Sequence, residues 1–189
     1  MNRNSKSRAI LFLVGASGSG KTIIGQRLAS NHGWALIDTD GEIIKKCGKR
    51  ISEIFSDNGE QFFRELESSC IDEVSSNNKL DDRLIVATGG GLAAIPGMME
   101  RLNEIGVTIY LKASLETLWK RLSTDPKQLQ DRPLLRDNGK EVLEDLLIER
   151  ERHYYKSTLV VDTDQMDVDE VCELLAGQSD LIANIALNK

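Results

Sequence analysis

Gly15-Ala16-Ser17-Gly18-Ser19-Gly20-Lys21-Thr22 follows directly on the apolar run Ala9 to Val14, and its reading decides the fold. The eight residues fit the phosphate-binding loop pattern G-x-x-x-x-G-K-[ST] at every fixed position. A nucleoside triphosphate carries several negative charges. The stretch answers them with backbone N–H groups that glycine lets turn inward, a helix whose N-terminus is positive, and one lysine. Thr22 adds a hydroxyl suited to a magnesium ion. The competing reading of the same residues is a glycine-rich turn between a strand and a helix.

Outward from the loop, short continuous apolar runs alternate with segments of helical spacing, the pattern of a buried parallel sheet. The runs are Ala9 to Val14, Trp34 to Ile37, Leu84 to Ala87, Val107 to Leu111 and Leu159 to Val161. A helix is expected from Thr22 to about Asn31 with Gly33 as its stop, and another from about Asn58 or Gly59 with Phe63, Leu66, Cys70 and Val74 on one face. Pro96 suits the first turn of a helix reaching Ile105, and Ser114 caps one that turns Leu115, Leu118 and Leu122 inward. The expected fold is α/β, a five-stranded parallel sheet with helices on both faces and the ligand at the carboxyl ends of the strands. Two segments interrupt the alternation, a helical excursion from Asp40 to about Val74 and a polar, turn-rich stretch from Ser123 to Gly139 suited to a lid.

At 189 residues and 40% hydrophobic, the chain has the size of one well-buried domain. A net charge of -6 opposes broad binding to nucleic acid or anionic membranes, so an anionic substrate must be held by a few local arginines. Cys47, Cys70 and Cys172 show neither a C-x-x-C nor a Cys/His metal pattern, and read as reduced thiols of a cytoplasmic protein. Arg3, Lys6 and Arg8 precede an apolar run too short for a signal peptide, and no run reaches the length of a membrane span. His32 and His153 read as solvated, Trp34 and Trp119 as packing residues. The tail from Gln178 to Lys189 carries Leu181, Ile182, Ile185 and Leu187 at amphipathic spacing.

Chemistry gathers at the ends of the second and third apolar runs. Asp38-Thr39-Asp40 closes the second, and alternation along an extended segment points both carboxylates the same way, one for magnesium and one for an acceptor hydroxyl. The bland reading is an Asp helix cap followed by a solvated Asp. Gly89-Gly90-Gly91 closes the third and leaves backbone N–H groups free to approach a phosphate or a substrate edge. Arg64 reads either as a carboxylate fork or as a helix-surface ion pair with Glu60 or Glu67.

Taken together, several stretches resemble the shikimate kinase family. They are Lys21-Thr22-Ile23-Ile24-Gly25-Gln26-Arg27-Leu28-Ala29, Asp38-Thr39-Asp40, Ile54-Phe55 with Gly59-Glu60, Phe63-Arg64-Glu65-Leu66-Glu67, Gly89-Gly90-Gly91 and Arg132-Pro133-Leu134-Leu135, in the family's order. The resemblance implies a small P-loop kinase that moves the γ-phosphoryl of ATP, with magnesium, to the 3-hydroxyl of shikimate, as a cytoplasmic monomer. It implies that Lys21 contacts the transferred phosphate, Thr22 ligates magnesium, Asp38 supports that ion through water, and Asp40 binds the acceptor hydroxyls. Arg64, held by Glu67, would pair with the shikimate carboxylate; Gly89, Gly90 and Gly91 would meet the substrate. Arg132 matches the lid arginine and Arg121 the one that stacks on adenine. The family's Arg-x-Pro-x-Tyr is here Arg150-Glu151-Arg152-His153-Tyr154, with Arg150 as the second carboxylate clamp and Arg152 as its competitor. The phosphate loop is as similar to that of gluconate kinases, which leaves another polyol kinase, or a nucleotide-dependent binding module, as alternatives.

Overall fold

A computed structural model describes residues 9–76, 83–124, 133–135 and 139–178. Five parallel strands form one sheet in the order β2-β3-β1-β4-β5: β1 Ala9–Val14, β2 Ala35–Asp38, β3 Arg83–Ala87, β4 Val107–Lys112 and β5 Leu159–Asp162. The strand carrying the phosphate loop therefore lies at the centre, paired with β3 from Ala9↔Arg83 and with β4 from Leu11↔Val107.

Side chains alternate across a strand, so β1 supplies both faces of the core. Ile10, Phe12 and Val14 pack with Ile71 and Val74 of α3 (Ile51–Ser76), Leu102 of α4 (Met98–Ile105), Leu118 of α5 (Leu115–Ser123) and Leu143 of α6 (Gly139–Tyr154). Leu11 and Leu13 face the other way, onto Ile24 and Leu28 of α1 (Lys21–His32) and Val171 and Leu175 of α7 (Val168–Gly177). The excursion after β2 has a small core of its own, where Ile43 of α2 (Thr39–Cys47) meets Ile54, Phe63 and Cys70.

The helix signals resolve in detail. Gly33 caps α1 in the left-handed conformation, φ 65, and Ser114 caps α5 by accepting from Thr117 N at 3.3 Å. The second helix of the excursion starts at Ile51, earlier than expected, because Gly59 does not start a helix but breaks one: at φ 81, ψ 174 it kinks α3 where most side chains would be strained. Pro96 also lies outside its helix, ahead of the cap Gly97, after a 3-10 turn Leu92–Ala94. Trp34 and Trp119 pack against the core as expected. Of the stretch from Ser123 to Gly139, the structure describes the end of α5, Thr124, a 3-10 turn Pro133–Leu135 and the start of α6; Arg132 and the tail beyond Gln178 lie outside the described residues.

One buried bond ties the ends of β2 and β3 together. Thr39, fully buried, accepts from Gly89 N at 2.8 Å, linking the start of α2 to the glycine turn. Thr39→Val keeps the shape and leaves that N–H without its acceptor, so urea unfolding should show a loss of about 1–3 kcal/mol. Unchanged stability would mean that the turn finds another acceptor at no cost.

Candidate active site

The phosphate loop leaves β1 through three glycines at positive φ, Gly15 (144), Gly18 (85) and Gly20 (92), which curl its backbone around Lys21. A Cβ at Gly15 would stand 2.8 Å from Leu111 O, so the loop lies too close to β4 for a side chain there. Lys21 is buried, and its Nζ donates to Gly15 O and Ala16 O at 2.8 Å each and to Ser19 Oγ at 3.3 Å. The ammonium thus sits within the loop, whose mouth opens to a cleft of about 600 Å³.

Thr22 and Asp38 meet at that mouth, the Thr22 hydroxyl donating to Asp38 Oδ2 at 2.7 Å. Asp38 Oδ1 accepts from Gly41 N at 3.1 Å and caps α2. The strand-alternation argument for Asp38 and Asp40 therefore fails: Asp38 ends the strand and Asp40 lies in the first turn of the helix. They still reach one region, because the helix begins at the carboxyl edge of the sheet. Arg121, also in the wall of the cleft, donates to Thr163 O at 2.8 Å and Thr163 Oγ1 at 3.1 Å, which fixes its guanidinium.

A second, smaller recess of about 70 Å³ lies next to the cleft, and Asp40 and Gly90 border both. Arg64, Glu67 and Arg150 converge on it from α3 and α6, with Ser17 of the phosphate loop. Arg64 donates from Nη1 to Glu67 Oε2 at 2.6 Å and from Nη2 to Glu60 Oε1 at 2.6 Å, so the helix ion pair exists. With Nε also on Glu60, N–H donors remain on both Nη1 and Nη2 for an anion in the recess. Glu67 is fully buried, and burial pushes its carboxyl up to about 7 against the pull of Arg64, with the Asp40 charge pushing the same way.

The glycine turn has a reason for its composition that the sequence did not disclose. A Cβ at Gly89 would overlap Glu67 Oε1 and crowd Asp40 Oδ1, and one at Gly91 would overlap the Arg64 guanidinium. Arg150 buries its Nε at the recess with no hydrogen-bond partner for that atom among the described residues, whereas Arg152 is exposed on α6 and donates to His153 Nε2 at 3.2 Å. His153 is half-buried rather than fully solvated. Thr39, Thr163 and Tyr154 were absent from the expected site. Only Tyr154, four residues after Arg150 and so on its helix face, carried a spacing signal.

The family profile "Shikimate kinase" matches residues 17–178. A shikimate kinase from Persephonella marina is 35% identical over 168 residues, covering 89% of this chain and 97% of the relative. The solved structure of shikimate kinase from Acinetobacter baumannii in complex with shikimate superposes with a TM-score of 0.82 at 31% identity, over 93% of this chain and 94% of that one. A gluconokinase from Sinorhizobium meliloti reaches a TM-score of 0.58 at 20% identity over 97% and 98%, a likeness of fold alone. The loop, the acceptor recess and these likenesses agree: the chain belongs to the shikimate kinase family.

Proposed function

We propose that this chain transfers the γ-phosphoryl group of ATP to the 3-hydroxyl of shikimate, giving shikimate 3-phosphate and ADP on the route to chorismate and the aromatic amino acids. The observation that carries the reading is that two neighbouring cavities share Asp40 and Gly90 in their walls, one built around the phosphate loop and one bordered by two arginines. A donor phosphate in the first and a small carboxylate-bearing alcohol in the second would face each other across that boundary. Relatives that are shikimate kinases along nearly their whole length favour shikimate over gluconate.

In this reading the amides from Gly15 to Gly20 and the Lys21 ammonium bind the phosphates, and Arg121 lies beside the base. Thr22 and Asp38 offer an oxygen pair of the kind magnesium takes, and they are the residues that would hold it. When bound, magnesium neutralises charge on the phosphate oxygens. Asp40 orients the attacking hydroxyl and receives its proton, while Arg64 and Arg150 grip the carboxylate. Phosphoryl transfer leaves little covalent work to protein groups, so this positioning and charge neutralisation carry most of the rate. Arg132 is assigned to the closing segment by resemblance. No helix among the described residues is long and apolar enough to cross a membrane, and the reading has the enzyme act as a cytoplasmic monomer.

A coupled assay of ADP release with shikimate, with gluconate and with no acceptor tests the activity. Release is expected with shikimate alone; release only with gluconate overturns the acceptor, and none with either overturns the enzyme. Arg64→Lys keeps the charge and loses the planar fork, so the KM for shikimate should rise about 10- to 100-fold, or about 1–3 kcal/mol, with the KM for ATP within about twofold. An unchanged shikimate KM would put the clamp elsewhere.

Glu67 makes a further prediction about pH. Its folded carboxyl is raised from 4.5 to about 7, so between those values the unfolded chain ionises it while the folded chain keeps the proton. The contribution of this group to stability is greatest below that window and falls as pH rises through it. Urea unfolding at about pH 5 and about pH 8 should show the native chain losing stability relative to Glu67→Gln. Parallel profiles for the two would show that Glu67 is ionised throughout.

A further inference from the structure

The hydroxyl of Tyr154 donates to Gly90 O at 2.5 Å. A carbonyl oxygen only accepts, so the phenol must keep its proton to make this bond. Burial pushes the phenol up to about 12, ahead of the opposing pull of Arg150 and Arg64, and the donor is present at any working pH. The ring is 1% exposed and lies 5.1 Å, centroid to centroid, from Tyr110, which packs it from the sheet side.

What the hydroxyl holds is more specific than a buried tyrosine requires. Gly90 is the middle residue of the glycine turn, and it borders both cavities. On one side of the turn Gly89 N is held by Thr39. On the other, Gly90 rests on the phosphate loop, where a Cβ would stand 3.2 Å from both Ser17 N and Ser17 Oγ. Tyr154 also lies one helical turn beyond Arg150, on the same face of α6. A single hydroxyl thus joins the helix that carries an acceptor-side arginine to the turn that touches the donor-side loop.

We propose that Tyr154 is a positioning residue for phosphoryl transfer: by holding the Gly90 carbonyl it fixes the spacing between the Arg150 side of the acceptor recess and the phosphate loop. Its side chain lines neither cavity. Its effect is on where the acceptor stands relative to the γ-phosphate, a distance to which transfer rates are steep. The proposal rests on the shikimate kinase reading above and adds a residue that reading does not use.

The test compares Tyr154→Phe with Tyr110→Phe. Tyr110 donates to Glu151 Oε1 at 3.2 Å and does not reach the turn, so its variant removes a buried phenol from the same ring pair without touching Gly90. Tyr154→Phe should raise the KM for shikimate and lower kcat, together costing about 10- to 100-fold in kcat/KM for shikimate, with the KM for ATP within about threefold. Tyr110→Phe should leave both KM values near those of the native chain, whatever its melting temperature. Assays run below the melting temperature of each variant. Tyr154→para-aminophenylalanine, which keeps a donor at the same place, should restore at least half of the lost factor on a logarithmic scale. Equal shikimate kinetics for the native chain and Tyr154→Phe overturn the proposal while leaving the activity standing, as does an equal loss in the two Phe variants or no rescue by the amino group. Absence of turnover by the native chain overturns the activity and the proposal together.

Discussion

The acceptor side of the cleft depends on space that no side chain fills. At Gly89 and Gly91 a Cβ would overlap the Glu67 carboxylate and the Arg64 guanidinium, and at Gly90 it would press on Ser17. Three different elements, α3, the start of α2 and the phosphate loop, are brought against one turn because that turn is bare backbone. Two side chains hold polar atoms of it, the Thr39 hydroxyl on Gly89 N and the Tyr154 hydroxyl on Gly90 O. Flexibility is therefore a poor description of a triple-glycine run here. The glycines permit a close approach, and buried hydrogen bonds then fix it.

Burying Glu67 against Arg64 is costly by itself, since desolvation competes with the charge attraction and wins in its effect on the carboxyl. Its value is orientation. Glu67 takes one N–H from Nη1, Glu60 takes the one on Nε and one on Nη2, and these bonds set the guanidinium plane at the edge of the recess. A lysine could keep the charge but not this plane. The ion pair and the proposed ligand clamp, which the sequence presents as rival readings of Arg64, are therefore compatible in one arrangement. For Asp38 the helix-cap reading is realised through Oδ1, while Oδ2 turns to the Thr22 hydroxyl at the mouth of the phosphate loop.

The donor side was legible because it is local. Gly15 to Thr22 is one continuous stretch, its strand and helix are adjacent to it, and glycine, lysine and threonine each have a reason to be where they are. The five strands were visible for a similar reason, as buried parallel strands read as apolar runs whatever their neighbours. Helix boundaries near Gly59 and Pro96 were less legible. A glycine can start, stop or kink a helix, and only the packing of Phe63 and Cys70 against Ile43 and Ile54 shows that both segments flanking Gly59 are helical and docked.

The recess beside the cleft is assembled from residues at positions 17, 39, 40, 64, 67, 89–91, 150 and 154, and apart from the helix pairs 64/67 and 150/154 no periodicity in the sequence relates them. Arg150 and Arg152 illustrate the limit. Both are arginines in one polar run, two residues apart, and composition cannot rank them. Helix geometry can, since a separation of two residues turns a side chain through about 200° and sends the pair to opposite faces. Once α6 is known to continue unbroken through Arg152 to Tyr154, the face that carries Tyr154 to Gly90 must also carry Arg150 to the recess and leave Arg152 outside. Arg152, which stands in place of the proline, thus lies inside a helix that runs on to Tyr154, and on that helix its exposed side chain is on the face opposite Arg150.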